Sequence, residues 1–235
     1  MRTIGLLGGM SWESTVPYYR EINRLISARL GGFHSARIVM WSVDFHDLEA
    51  LASAGDWEGA GRVLADRARR LEAAGADFLV LCTNTMHRVA PTIEAAIDIP
   101  LLHIADAVAA AVLEDGARTV GLLGTRFTMD EPFYRERLSF RYGLEVLVPA
   151  ENERMEVDEI IFSELVRGVT SERSRRVLRG IIADLVGRGA EGVILGCTEI
   201  GLLIGSEDAP VPVYDSAVIH AQRAADLSLS LSRAG

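Results

Sequence analysis

Short apolar runs alternate along the chain with longer amphipathic stretches. The runs FLVL before Cys82 and GVILG before Cys197 are apolar at nearly every position, which is typical of parallel strands buried on both faces. The stretch from Trp57 to Ala73 instead repeats apolar residues at helical spacing. This alternation predicts an α/β fold with mainly parallel sheets, in which ligands bind beyond the carboxyl ends of the strands.

Two pairs of segments repeat at nearly the same offset. RTIGLLGG at the N-terminus matches a later RTVGLLGT, and DFLVLCT matches EGVILGCT. The spacing from Gly8 to Gly124 is within one residue of the spacing from Cys82 to Cys197. Agreement between two independent pairs indicates an internal duplication.

The duplication predicts two pseudo-symmetric, doubly wound α/β lobes with the active site in the cleft between them. We place the first lobe at residues 1–115 and the second at residues 116–215. Residues 216–235 are predicted to form a C-terminal helix that packs back on the first lobe.

Composition narrows the class of protein. The net charge of −9 and the pI near 5.1 predict no nucleic-acid partner and no anionic membrane partner. No apolar run approaches the ~18 residues that a membrane helix needs. The first residues carry Trp12 and Glu13 where a signal peptide would stay apolar, so we predict a cytoplasmic protein.

The predicted site uses no cofactor and no metal. All 24 basic residues are arginine, so neither a pyridoxal-phosphate Schiff base nor a P-loop lysine is available. The Gly-x-Gly-x-x-Gly dinucleotide motif is also missing. The polar cluster from Asp44 to Asp47 is interpreted as a capping or solvated loop rather than a metal site.

The chain has two cysteines, and each follows a buried strand. A helix beginning near Thr83 is expected to lower the pKa of the thiol beside it. Two acid/base groups on opposite faces of one carbon are what stereoinversion by proton transfer requires. The alternative interpretation is that Cys82 and Cys197 are structural residues of the core.

The motifs GGMSWEST, LCTNTMH and GCTEIGLL together resemble the aspartate/glutamate racemase family, in particular its broad-specificity amino-acid racemase branch. The resemblance covers essentially the whole chain and implies a cofactor-independent racemase that acts on a small amino acid as a homodimer. It also implies that Cys197 is a catalytic acid/base supported by Glu199. The substrate-binding residues that we predict are Met10, Ser11, Trp12, Asn84, Thr85, Thr198 and Glu199.

The first catalytic position departs from the family pattern. The family carries Cys directly before Asn-Thr, whereas this chain carries Thr83 there and Cys82 one residue earlier. Neighbouring strand residues point to opposite faces, so the two side chains cannot share one position. The family register favours Thr83, a shifted strand would favour Cys82, and both remain candidates. A threonine hydroxyl donates a proton but is a poor base, so Thr83 predicts turnover that favours one direction.

The substrate and the reaction each have alternatives. The chain has no lysine and the SVDFHDLE segment offers no arginine for a side-chain carboxylate, so homoserine fits as well as aspartate or glutamate. Maleate-isomerase-like and arylmalonate-decarboxylase-like activities occur on the same fold. A non-enzymatic alternative is a small-molecule binding protein with two α/β lobes. The Cys-Thr pair that follows the predicted strand in each lobe disfavours this interpretation.

Overall fold

The computed structural model describes residues 1–230, which form an α/β fold with two parallel sheets. The strands of the first sheet are β1 (Ile4–Gly8), β2 (Ile38–Ser42), β3 (Phe78–Leu81) and β4 (Leu101–Leu102). Those of the second are β5 (Thr119–Gly124), β6 (Glu145–Leu147), β7 (Gly192–Gly196) and β8 (Val213–Asp215). The orders are β2-β1-β3-β4 and β6-β5-β7-β8, with every pairing parallel. The identical order confirms the prediction of two doubly wound α/β lobes.

Helices connect the strands. In chain order they are α1 (Trp12–Leu30), α2 (Phe45–Ser53), α3 (Trp57–Ala73), α4 (Ala90–Glu94), α5 (Ile104–Glu114), α6 (Arg126–Asp130), α7 (Pro132–Tyr142), α8 (Glu151–Ser163), α9 (Glu172–Gly187) and α10 (Ser216–Leu229). Short 3₁₀ turns lie at Thr85–Val89, Leu165–Arg167, Ile200–Leu202 and Ser206–Asp208. Among the helices of residues 1–230, none is both long and apolar enough to cross a membrane.

The contacts divide the chain into two units. One comprises Met1–His103 with residues 220–230, and the other comprises Ile104–Ile219. The sequence pattern predicts a boundary after residue 115, whereas the contacts group α5 with the second unit. In the first unit, the Arg2 amide donates to the Ser228 carbonyl of α10 over 2.8 Å. The end of the predicted segment 216–235 lies outside the described residues.

The second sheet is buried on both faces. Along β7, Val193 and Leu195 belong to one apolar cluster, and the intervening Ile194 belongs to another. Because side chains alternate across a strand, the two clusters lie on opposite faces of the sheet. The uninterrupted apolar pattern of the run before Cys197 is explained by this two-sided burial.

The polar cluster at Asp44 begins a helix. Asp44 is the N-cap of α2, and its carboxylate accepts a hydrogen bond from the His46 amide over 3.0 Å. A capping aspartate satisfies an amide that has no partner within the helix. The capping interpretation of this segment is therefore correct, and the helix that follows is not evident from the sequence pattern.

Candidate active site

The carboxyl ends of β1 and β3 lie side by side, because Leu7 pairs with Leu81 in the sheet. The loop after β1 turns at Gly9, whose φ of +94° is unfavourable for other residues. A Cβ at Gly9 would also lie 2.3 Å from the Val43 carbonyl oxygen. Only glycine fits this turn, which leads the chain into Met10, Ser11 and α1.

Two hydroxyl groups of α1 hold the loop after β1. The Gly9 amide donates to Thr15 Oγ1 over 2.8 Å. The hydroxyls of Ser14 and Thr15 both donate to the Ser11 carbonyl, over 2.9 Å and 3.0 Å. The Gly9 amide therefore has its hydrogen-bond acceptor within the protein, and the turn has a structural role.

The three predicted binding residues of this loop differ in exposure. Met10 is buried in the same apolar cluster as Met86, so its side chain is part of the core. Ser11 is also buried, whereas 63% of Trp12 is exposed. Among the three, Trp12 has the side chain that solvent reaches.

Cys82 is a core residue without the properties of an activated thiol. It is fully buried, and its Sγ lies 3.7 Å from the Val80 carbonyl oxygen. Burial raises its pKa, because the charged thiolate is poorly solvated there. The prediction that a helix start lowers the pKa of the adjacent thiol is therefore wrong for Cys82. The next turn, Thr85–Val89, is a short 3₁₀ helix rather than the start of an α-helix.

The sheet register shows which residues occupy equivalent places in the two units. Leu81 pairs with Leu7 in the first sheet, as Leu195 pairs with Leu123 in the second. Two residues further along each strand, the chain reaches Thr83 in one unit and Cys197 in the other. Cys82 corresponds to the glycine that precedes Cys197, so the equivalence of the two cysteines inferred from the offset does not hold in the sheets.

The turn after β3 brings Thr83, Asn84 and Thr85 together. Thr83 is 7% exposed and Asn84 is 3% exposed. The Thr83 amide donates to the Leu81 carbonyl over 2.9 Å, and the Thr83 carbonyl lies 2.7 Å from His87 Nδ1. Both backbone groups of Thr83 are therefore fixed by hydrogen bonds.

The turn after β7 holds a compact polar cluster. The Cys197 thiol donates to Glu199 Oε2 over 3.1 Å, and the Thr198 hydroxyl donates to the same oxygen over 2.6 Å. Cys197 is 6% exposed and Glu199 is 5% exposed. Burial and the nearby Glu199 carboxylate raise the Cys197 pKa, so this thiol is protonated at neutral pH.

Close strand packing positions Cys197. A Cβ at Gly196 would lie 2.8 Å from a Leu122 methyl group and 3.0 Å from the Leu123 carbonyl oxygen. The Ser216 hydroxyl donates to the Leu195 carbonyl over 2.6 Å. The strand end that carries Cys197 is therefore held by the neighbouring strand and by the first residue of α10.

Sequence reasoning missed the residues that support the site. Ser14 and Thr15 hold the Ser11 carbonyl, and His87 lies against the Thr83 carbonyl. The sequence signal that could have found them is their spacing of three or four residues from the carbonyl that they contact. A side-chain donor at that spacing can reach back to a carbonyl at the start of a helical turn. For His87, only a surface or core position was favoured.

The turn after β7 holds a buried thiol beside a carboxylate, and the turn after β3 carries a hydroxyl at the equivalent place of its own sheet. No group of three His, Cys, Asp or Glu side chains within residues 1–230 is arranged to bind a metal ion. Fold and site thus define a class of α/β enzymes whose own side chains can carry protons.

The chain belongs to the Asp/Glu/Hydantoin racemase family, whose model matches residues 7–224. It is therefore an isomerase of the racemase type. The resemblance found in the three sequence motifs is confirmed by this match.

Similar proteins support the same family. A crystal structure of a Yersinia pestis protein provisionally described as an Asp/Glu racemase is 52% identical, with a TM-score of 0.93, and the match covers 98% of this chain and 100% of that one. An aspartate racemase homologue from Pyrococcus horikoshii OT3, PH1733, is 36% identical with a TM-score of 0.85, over 98% and 100% of the two chains. The broad specificity amino-acid racemase RacX of Bacillus subtilis is 22% identical over 93% of this chain and 95% of its own.

Proposed function

We propose that the protein is an amino-acid racemase that inverts the α-carbon by proton transfer without a cofactor. The observation that carries the proposal is the buried hydrogen bond between Cys197 and Glu199 at the end of β7. A thiol beside a carboxylate can lose its proton to that carboxylate when a substrate binds. The resulting thiolate is a base of suitable strength for a substrate α-proton.

In the proposed reaction, Glu199 accepts the thiol proton and the Cys197 thiolate then removes the α-proton. The electron pair left on the α-carbon is delocalised into the substrate carboxylate. The Thr83 hydroxyl donates a proton to the opposite face of the α-carbon, and water replaces the proton that Thr83 loses. The proton held by Glu199 neutralises the hydroxide that this leaves, which restores the Glu199 carboxylate. The bond from the α-carbon to hydrogen is broken on one face and formed on the other, so no net oxidation or reduction occurs.

The equivalence of Thr83 and Cys197 in the sheet registers supports Thr83 as the second group. A threonine hydroxyl is almost never ionised at neutral pH, so it donates a proton more readily than it removes one. We therefore propose that turnover is faster for the enantiomer whose α-proton faces Cys197. Cys82 is the alternative second group.

We propose a small amino acid as the substrate class. The names of the relatives support this class, since they refer to aspartate, to Asp/Glu and to broad amino-acid specificity. The segment at the start of α2, from Ser42 to Glu49, carries acidic residues and no arginine. A neutral side chain such as that of homoserine is therefore included with aspartate and glutamate.

The test is loss of the α-proton NMR signal in D₂O for both enantiomers of aspartate, glutamate, homoserine and other amino acids. No cofactor is added, and the wild type is compared with Cys197→Ser, Thr83→Ala and Cys82→Ala. We expect exchange in the wild type and its loss in Cys197→Ser. Inversion should be lost in Thr83→Ala and retained in Cys82→Ala.

Other outcomes lead to the competing functions. Absence of α-proton exchange with every amino acid would overturn the racemase proposal and favour the isomerase or decarboxylase reactions of the same fold. Tight amino-acid binding without any exchange would favour a binding protein. The homodimer also remains a prediction, which light scattering of the purified protein can check.

A further inference from the structure

Three of the five histidines of the chain lie together in the core of the first unit. The ring centroids of His87 and His103 are 4.4 Å apart, and those of His87 and His220 are 6.0 Å apart. All three side chains are at least 96% buried, with exposures of 2%, 4% and 0% in chain order. Buried histidines in such close contact require defined hydrogen bonds, because polar atoms are costly to bury without them.

The hydrogen bonds define which ring nitrogens carry protons. His87 Nδ1 lies 2.7 Å from the Thr83 carbonyl oxygen, which can only accept, so Nδ1 is the donor. His220 Nε2 likewise donates to the Leu102 carbonyl over 2.8 Å. Burial lowers the His220 pKa to about 4, so His220 is neutral near pH 7. Its Nδ1 therefore accepts from the Tyr18 hydroxyl over 2.9 Å.

The cluster joins the turn after β3 to three other parts of the first unit. Tyr18 lies on α1, His103 follows β4, and His220 lies on α10. The Tyr18 and His220 rings are in edge-to-face contact, with centroids 5.6 Å apart. The His87 ring is therefore packed among elements that are distant in sequence, which restricts its rotation.

We propose that His87 is a positioning residue for Thr83, and that His103 and His220 hold the His87 ring in place. This inference rests on the proposed racemase function and deepens it. His87 Nδ1 fixes the Thr83 carbonyl, while the Leu81 carbonyl fixes the Thr83 amide. Together these bonds set the backbone from which the Thr83 hydroxyl projects.

The expected effect is selective, because only one face of the α-carbon depends on Thr83. Cys197 can remove an α-proton, exchange it for a deuteron of the D₂O solvent and return the deuteron to the same face, which gives exchange without inversion. Inversion also needs the Thr83 hydroxyl in place. A displacement of about 1 Å at such a group can reduce the rate by roughly 10²-fold.

The experiment compares His87→Leu with His87→Asn. Leucine removes the donor, whereas the asparagine amide nitrogen lies close to the position of Nδ1 and can still donate to the Thr83 carbonyl. We expect His87→Leu to reduce inversion about tenfold or more while exchange of the Cys197-facing enantiomer changes by less than about threefold. His87→Asn should recover most of the inversion rate. The exposed His34, changed to Leu, is the matched control.

Two outcomes would overturn the proposal. Equal losses of exchange and inversion in His87→Leu would show that the histidine acts only in folding, and an unchanged inversion rate would show that it has no role. Amide hydrogen exchange of the segment 83–87 provides a readout besides activity. If the wild type exchanges no α-proton, the proposed function fails, and unchanged amide protection in His87→Leu would separately exclude the positioning role.

Discussion

The Cys197 thiol and the Glu199 carboxylate form a hydrogen bond of 3.1 Å in a place that solvent hardly reaches. The negative charge of Glu199 disfavours a thiolate beside it, while its oxygen offers the thiol proton an acceptor. The Glu199 carboxylate therefore keeps the Cys197 thiol protonated, and the same carboxylate is the acceptor to which the thiol can transfer its proton.

Replacement of Glu199 by glutamine should lower the pKa of Cys197 and also slow catalysis. Burial remains as a cause of the raised pKa, but the carboxylate charge is removed. In a Cys82→Ala background, alkylation of Cys197 should therefore begin at lower pH, while α-proton exchange falls about tenfold or more because the proton acceptor is lost. Glu172→Gln, at an exposed position, is the control. If the pH dependence of Cys197 alkylation is the same in Glu199→Gln as in the parent protein, the assigned role of Glu199 is contradicted.

Thr83→Cys should make turnover more even in the two directions. A thiol at the position equivalent to Cys197 can ionise near neutral pH far more readily than a hydroxyl. The kcat values for the two enantiomers, measured by circular dichroism at saturating substrate, should therefore approach each other. Cys82→Ala is the control and should leave the ratio of the two rates unchanged. If Cys82→Ala alters the ratio and Thr83→Cys does not, Cys82 is the second catalytic group.

Gly196→Ala should destabilise the protein, since the new methyl group would meet the Leu123 carbonyl and the Leu122 side chain. Overpacking of this kind costs about 1–3 kcal/mol. Gly187→Ala is a matched control at the end of α9, where a Cβ meets nothing within 4 Å. Urea unfolding should show a loss of stability for the first variant only. Equal stability of the two variants would mean that the strands separate without cost.

His220 should make the protein less stable in mild acid. Its pKa falls from the ordinary value of 6.5 to about 4 on folding, so the unfolded chain binds the proton more tightly. The stability contributed by neutral His220 is complete above pH 6.5 and is lost as the pH falls toward 4, by about 3 kcal/mol in total. Urea unfolding between pH 7 and pH 4.5 should show a smaller pH dependence for His220→Gln than for the wild type. Identical slopes would rule out this contribution.

The sequence predicted the strands and the longer helices well because burial leaves a direct pattern. β7 lies between two apolar clusters and is apolar along its length, and α3 was predicted with its observed bounds, Trp57–Ala73. Short helices such as α2 were missed, since their formation depends on packing and on a single capping side chain.

The equivalence of the catalytic positions could not be predicted by counting residues. The offset between Cys82 and Cys197 is within one residue of the offset between Gly8 and Gly124, which suggests that the two cysteines occupy equivalent positions. Connections of different length contribute to any such offset, whereas the hydrogen bonds of the sheet fix the register locally. The paired strands therefore make Thr83, and not Cys82, the residue equivalent to Cys197.

The division of the chain has a consequence for the order in which the protein is made. The second unit is one continuous segment, Ile104–Ile219, whereas the first needs both Met1–His103 and residues 220–230. A ribosome therefore delivers every residue of the second unit before it delivers the last part of the first. His220 of α10 is synthesised after the whole of the second unit, and only then can the histidine cluster of His87, His103 and His220 close.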